Sequence, residues 1–161
     1  MTPKPTAPYR PRTLAPMQRV AGLDYGVLDE LLGYALRRAQ VAMFLAFHAA
    51  TRGQDITPPR FTALVIVGAN PGISQTALGN VLGIARSGAM VLTDWFQARG
   101  LIARRRAPDD RRAWGLHLTA RGERMVRSMT RKVVALDRRR AAVLNGEERR
   151  QLLSLLNKLA A

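Results

Sequence analysis

Residues 73–119 read ISQTALGNVLGIARSGAMVLTDWFQARGLIARRRAPDDRRAWGLHLT. Two short helices and an arginine-laden hairpin follow from this stretch. Ser74 suits an N-cap, because its hydroxyl can accept a bond from an otherwise orphaned backbone N–H. Leu78 and Leu82 supply the apolar face of the first helix. Gly83 stops it where glycine tolerates left-handed geometry. A second helix is predicted from about residue 85 to residue 99. Ala89, Leu92, Thr93 and Phe96 fall inward at helical spacing, leaving Gly88, Met90, Val91 and Trp95 outward. Two short helices joined at a glycine turn are the sequence form of a helix-turn-helix, whose second helix can enter a DNA major groove.

Residues 101–106 and 113–118 are strand-like, and Ala107-Pro108-Asp109-Asp110 between them is turn chemistry. Trp114, Leu116 and Leu118 alternate with Gly115 and His117, the period of a half-buried strand. Arg104, Arg105 and Arg106 lie on the first strand, with Arg111 and Arg112 near the tip. A helix-turn-helix followed by a basic hairpin is a winged helix. Its helix suits the major groove and its wing tip the minor groove, where the negative potential favours arginine.

The charge of the whole chain agrees. Its 161 residues hold 26 Lys+Arg against 11 Asp+Glu, a formal charge of +15. All but three of the basic residues are arginine, whose planar fork binds phosphates and base edges bidentately. An excess this large on a small chain implies a polyanionic partner, nucleic acid before an anionic membrane surface. A GC-rich genome explains any single arginine equally well, but not the clustered set in the hairpin. There is no cysteine, which excludes disulfides, thiolate metal sites and thiol redox sensing. His48 and His117 alone do not make a zinc site, so neither metal nor cofactor is expected. No apolar run approaches the ~18 residues that span a bilayer, and no signal peptide is evident. The cytoplasm is the expected compartment. An enzyme is not expected: a Gly-rich phosphate loop, a nucleophile with its base and a placed carboxylate pair are all missing.

Outward from the reading stretch, helices flank it on both sides. Residues 1–22 are Pro-rich and basic and read as a disordered arm, either a plain leader or a contact to phosphates. Residues 23–161 read as a single domain. A long first helix is predicted from near Asp24 to about Thr51, with Leu28, Leu32, Ala35, Ala39, Met43 and Phe47 in one stripe. Residues 41–50 are apolar nearly all round, which suits a subunit interface or a ligand cavity. Thr57-Pro58 starts the next helix, which runs to Gly68, and Asn70-Pro71-Gly72 is a turn. Thr119 caps a helix to about residue 142. Asn145 and Glu148 form a capping box for the last helix, whose apolar side is Leu152, Leu153, Leu155, Leu156 and Leu159. Trailing amphipathic helices of this kind cannot all bury their stripes in one subunit. Pairing across a two-fold axis solves this and matches a palindromic site.

The pieces Thr57-Pro58-Pro59-Arg60-Phe61, Asn70-Pro71-Gly72-Ile73-Ser74-Gln75, Leu82-Gly83-Ile84, Ala98-Arg99-Gly100-Leu101-Ile102 and Asp109-Asp110-Arg111-Arg112 before Leu116-His117-Leu118-Thr119 stand in a telling order. In that order and spacing they resemble the MarR family of bacterial transcription regulators, with flanking helices extending the likeness over about residues 28–159. The resemblance implies a mainly α fold with a small β-hairpin wing. It implies a DNA-binding part at about residues 57–118 and dimerisation helices at about 24–51 and 119–160. It also implies a homodimer on double-stranded DNA, usually a repressor released by a small ligand.

The expected DNA contacts are Arg111 and Arg112 at the wing tip, Arg86 and Ser87 at the start of the reading helix, then Gly88, Met90, Val91, Arg104 and Arg106. Ser74 and Gln75 suit a phosphate at a helix N-terminus. Asp109 matches the family's wing acid and would orient Arg111 or a nearby arginine. The reading helix departs from the family: Ala85 replaces a capping residue, and Met90 and Val91 stand where polar or basic residues are usual. Thymine methyl contacts and readout of DNA shape are both open. By resemblance the first helix helps to line a ligand pocket, for which Tyr34, Arg37, Arg38, Met43, Phe44, Phe47 and His48 are candidates, each equally readable as packing. Residues 33–40 look similar to members that sense aromatic acids or their coenzyme A thioesters. The rival reading is a non-specific nucleoid-type DNA-binding protein.

Overall fold

The computed structural model describes residues 15–106 and 114–160, and within them the reading stretch folds with one strand more than its sequence predicts. The chain divides into two units, residues 1–49 and 50–161. In the second, helix α2 (Pro58–Ala69) leads to a two-residue strand β1 (Ile73–Ser74), then to α3 (Gln75–Leu82) and α4 (Arg86–Ala98). Strands β2 (Ile102–Arg106) and β3 (Trp114–Leu118) follow. The sheet order is β1-β3-β2, antiparallel throughout, with Leu116 opposite both Ile73 and Arg104. β1 is too short to show an alternating pattern, so it exists only because β3 is there to pair with it.

Local signals act where they were read. Ser74 Oγ accepts from the Ala77 N–H at 3.1 Å, and Gly83 closes α3 at φ 62°. Thr57 has the extended backbone of a cap but makes no side-chain cap bond. Leu64, Val67, Leu78, Ala89, Phe96, Leu101, Leu116 and Met129 are fully buried. Each large member contributes about 1.5–3 kcal/mol of burial. Thr119 joins the sheet to α5 (Ala120–Arg140): its Oγ1 accepts from Gly122 N–H at 3.0 Å and donates to Gly100 O at 2.6 Å. A Cβ on Gly122 would lie 2.0 Å from the Leu101 carbonyl oxygen, so only glycine lets helix and sheet approach this closely. Before α6 (Gly146–Ala160), Asn145 Oδ1 accepts from the N–H groups of Glu147 and Glu148, and Glu148 Oε2 accepts from Asn145 N–H. This is the predicted reciprocal cap. All five leucines of α6 remain 36–58% exposed.

In the first unit the long helix predicted from Asp24 is interrupted. A 3-10 turn at Gly26–Glu30 gives way to extended Leu31, and helix α1 begins only at Leu32 and runs to Ala50. At its start the cause is local: Asp24 Oδ1 accepts from the Gly26 N–H at 2.8 Å, and Gly26 sits at φ 51°, a turn that competes with helix. Arg19 and Val20, assigned above to a disordered arm, are held instead. Arg19 pairs with Asp29 at 2.6 Å and stacks 4.6 Å from the Tyr25 ring centre, while Val20 N–H donates to Tyr25 Oη. The hydrogen bond to Asp29 raises the Arg19 pKa above its ordinary value. Residues 1–14 lie outside the described residues.

Candidate nucleic-acid interface

Helix α4 turns Ala89, Thr93 and Phe96 into the core, so residues 87, 91, 94 and 98 lie opposite and residues 86, 90 and 97 lie on one flank. Arg86, Ser87 and Gly88 are exposed there, with Met90 at 51% and Val91 at 66%. Asp94 and Gln97 are exposed as well, and neither was selected from sequence. The outward face is therefore less apolar than the sequence reading made it. Trp95, expected to face outward, does not. The guanidinium carbons of Arg60 and Arg99 each lie 3.8 Å from its ring centre. Asp55 bonds both arginines, at 3.4 and 3.1 Å. A large aromatic at the flank of an amphipathic helix gains more from two stacked cations than from water.

Gln75 and Arg104, two predicted contacts from different elements, meet under this face. Arg104 donates to Asp94 Oδ1 at 2.7 Å, to Thr93 Oγ1 at 3.0 Å, to Gln97 Oε1 at 3.0 Å and to Gln75 Oε1 at 3.2 Å. Arg104 is thus turned into the protein rather than offered to solvent, and its side chain is only 29% exposed. Three of its partners were missed, yet one signal was present. Asp94 is the sole acid between Asp55 and Asp109, and a carboxylate isolated in so basic a segment requires a cation. Gln75, Met90, Asp94, Gln97, Arg104 and Trp114 line a cleft of about 610 Å³ between α4 and the wing strands.

On the wing, Arg105 and Arg106 are exposed, and Arg106 lies over the Trp114 ring at 5.5 Å. Trp114 is 52% exposed, while Gly115 and Leu116 are both buried. The predicted strict alternation on this strand fails because both faces of β3 are covered at that point: a Cβ on Gly115 would meet the Gly72 carbonyl oxygen at 2.7 Å. Asp109, Arg111 and Arg112 lie outside the described residues. Ser74 uses its hydroxyl as the α3 cap.

The candidates for a ligand pocket all stand on α1. Phe44 and His48 are in ring contact at 4.6 Å and Phe47 and His48 at 6.0 Å, and Arg38 lies 5.8 Å over the Tyr34 ring. His48 Nε2 is buried with no hydrogen-bond partner. Arg37 and Met43 are exposed. Among the described residues no three His, Cys, Asp or Glu side chains gather as a metal site, and no helix is long and apolar enough to cross a membrane.

A sequence profile described as the MarR family matches residues 54–113. The chain is 33% identical over 141 residues to a candidate transcriptional regulatory protein for the hcr operon of Thauera aromatica, covering 87% of this chain and 85% of that one. Among solved structures it is similar to the transcriptional repressor CouR bound to a 23-mer DNA duplex, with TM-score 0.81 and 37% identity over 86% of this chain and 99% of the other. CouR bound to p-coumaroyl-CoA aligns with TM-score 0.77 and 35% identity, over 86% and 97%. The PcaV regulator of Streptomyces coelicolor with its natural ligand aligns with TM-score 0.75 and 27% identity, over 88% and 97%.

Proposed function

The chain belongs to the MarR family of winged-helix, DNA-binding transcription regulators, and from that premise we propose that it is a ligand-released repressor acting as a homodimer on a palindromic site. The observation that carries this reading is the exposed face of α4, set beside the capped N-terminus of α3 and next to the wing. Arg86, Ser87, Met90 and Val91 read the major groove. Arg106, Arg111 and Arg112 take the backbone and minor groove, with Asp109 orienting the wing arginines. Residues 57–118 form the reading part. The helices at about 24–51 and 119–160 form the dimer, which gives the five exposed leucines of α6 an apolar partner. Its DNA partner sets its place of work in the cytoplasm.

The effector is an aromatic acid or its coenzyme A thioester. Support comes from CouR, which has been solved with p-coumaroyl-CoA at 35% identity to this chain. It also comes from the aromatic cluster of α1, where His48 Nε2 is buried without a partner. An unsatisfied buried polar atom of this kind costs about 1–3 kcal/mol, which a ligand hydroxyl or carbonyl would recover. Tyr34, Arg37, Arg38, Met43, Phe44 and Phe47 complete the pocket.

The test is a titration onto DNA from upstream of the chain's own gene, with excess random competitor at ~150 mM salt. A discrete footprint of two half-sites about one helical turn apart, lost on adding p-coumaroyl-CoA or free aromatic acids, is the expected result. Binding that vanishes equally under any competitor would favour the non-specific nucleoid-type reading, which the net charge of +15 also suits.

A further inference from the structure

We infer that Arg104 is a positioning residue of the reading surface: it turns the amides of Gln75 and Gln97 so that both NH2 groups are left for the DNA. The inference rests on the DNA-binding reading above. A guanidinium has donors and no acceptor. Each amide bonded to Arg104 must therefore present its oxygen, and Gln97 Oε1 lies at 3.0 Å and Gln75 Oε1 at 3.2 Å. The Thr93 hydroxyl lies 3.1 Å from Gln75 Oε1 and 3.0 Å from Met90 O, so its single proton is shared between them and adds a second, weaker hold on the same orientation. Both side chains line the cleft shared by α4 and the wing, so the donors left over are those a docked duplex meets. Amide donors serve phosphate oxygens and the acceptors on base edges alike.

Charge separates this role from direct contact. Asp94 Oδ1 sits 2.7 Å from Arg104, so the cation is already matched before DNA arrives. The same pair removes a problem for the surface, because an unpaired Asp94 on this face would repel phosphate. Arg104 bonds four acceptors from α3 and α4 at once. Nη1 serves Gln97, and the two Nη2 protons are shared among Gln75, Thr93 and Asp94; a planar fork reaches both sides of this cluster, and a lysine ammonium, a compact point charge, does not.

The experiment uses the full chain and two duplexes, the footprinted operator and a random sequence. The variants are Arg104→Lys, the pair Gln75→Met with Gln97→Met, and the triple combination. Thermal melting of each reports folding. Arg104→Lys keeps the charge, so a phosphate-contacting Arg104 predicts near wild-type binding, whereas a positioning Arg104 predicts an operator affinity lower by about tenfold or more. The deciding readout is the cycle: in the Gln75→Met, Gln97→Met background, Arg104→Lys is expected to have almost no further effect, since it acts through those amides. Full wild-type affinity of Arg104→Lys overturns the inference, and so does an undiminished effect of Arg104→Lys in the methionine background. If the unmodified chain binds both duplexes alike, the site-specific reading fails separately. The cycle is then decided on the random duplex by the same two outcomes.

Discussion

Met90 and Val91 are 51% and 66% exposed on the outward side of α4, an uncommon choice for a surface that meets a polar groove. Apolar groups there would suit contact with thymine methyls. Replacing both with alanine is expected to change the preferred bases in a selection from randomised duplexes. An unchanged site would assign sequence preference to groove shape and the wing. Gly122 is the sharper case for stability. Its missing Cβ would stand 2.0 Å from a backbone oxygen of Leu101, which has no rotamer to escape into. Gly122→Ala is expected to cost roughly 3 kcal/mol or more, read as a lower urea midpoint at constant slope.

At the scale of elements, α6 rests on its cap. Asn145 Oδ1 takes two backbone N–H groups at 2.9 Å each, so Asn145→Ala is expected to lose about 1 kcal/mol, measurable as a lower melting temperature. That cap was legible in the sequence, as were Ser74, Gly83 and Thr119, because each signal lies within three residues of what it controls. The winged helix was legible for the same reason, helix by helix. What escaped was non-local. Strand β1 exists through its pairing with β3, and the cluster around Arg104 joins residues 7 to 29 positions apart. Trp95 obeyed helical spacing on paper, yet Arg60 from α2 and Arg99 enclose it. The turn at Asp24 to Gly26 came from a carboxylate bonding two residues on, and the backbone turns extended again at Leu31, neither of which an apolar stripe reveals.

At the scale of the molecule, two features set behaviour in solution. A charge of +15 makes binding to any duplex strongly dependent on salt, with log K falling by about 0.9 per log unit of salt for each phosphate neutralised. Comparisons of operator with random DNA therefore belong at one fixed ionic strength. The other feature is the leucine side of α6. Leu155, at 55% exposure, is expected to sit in the dimer, so Leu155→Glu should sediment as a monomer and lose the two-half-site footprint while single-site contacts survive. A Leu155→Glu dimer that footprints normally would move the interface off α6.

The chain holds only two tryptophans, and they occupy opposite surroundings. Trp95 is closed between guanidinium groups, and Trp114 stands open beside the cleft. Ultraviolet emission thus becomes a pair of built-in optical channels. Trp114 is expected to change colour and intensity when a duplex docks at the cleft, and Trp95 when the winged domain unfolds. A Trp114→Phe variant silences the first channel, so docking and unfolding can be watched separately in one cuvette without a dye.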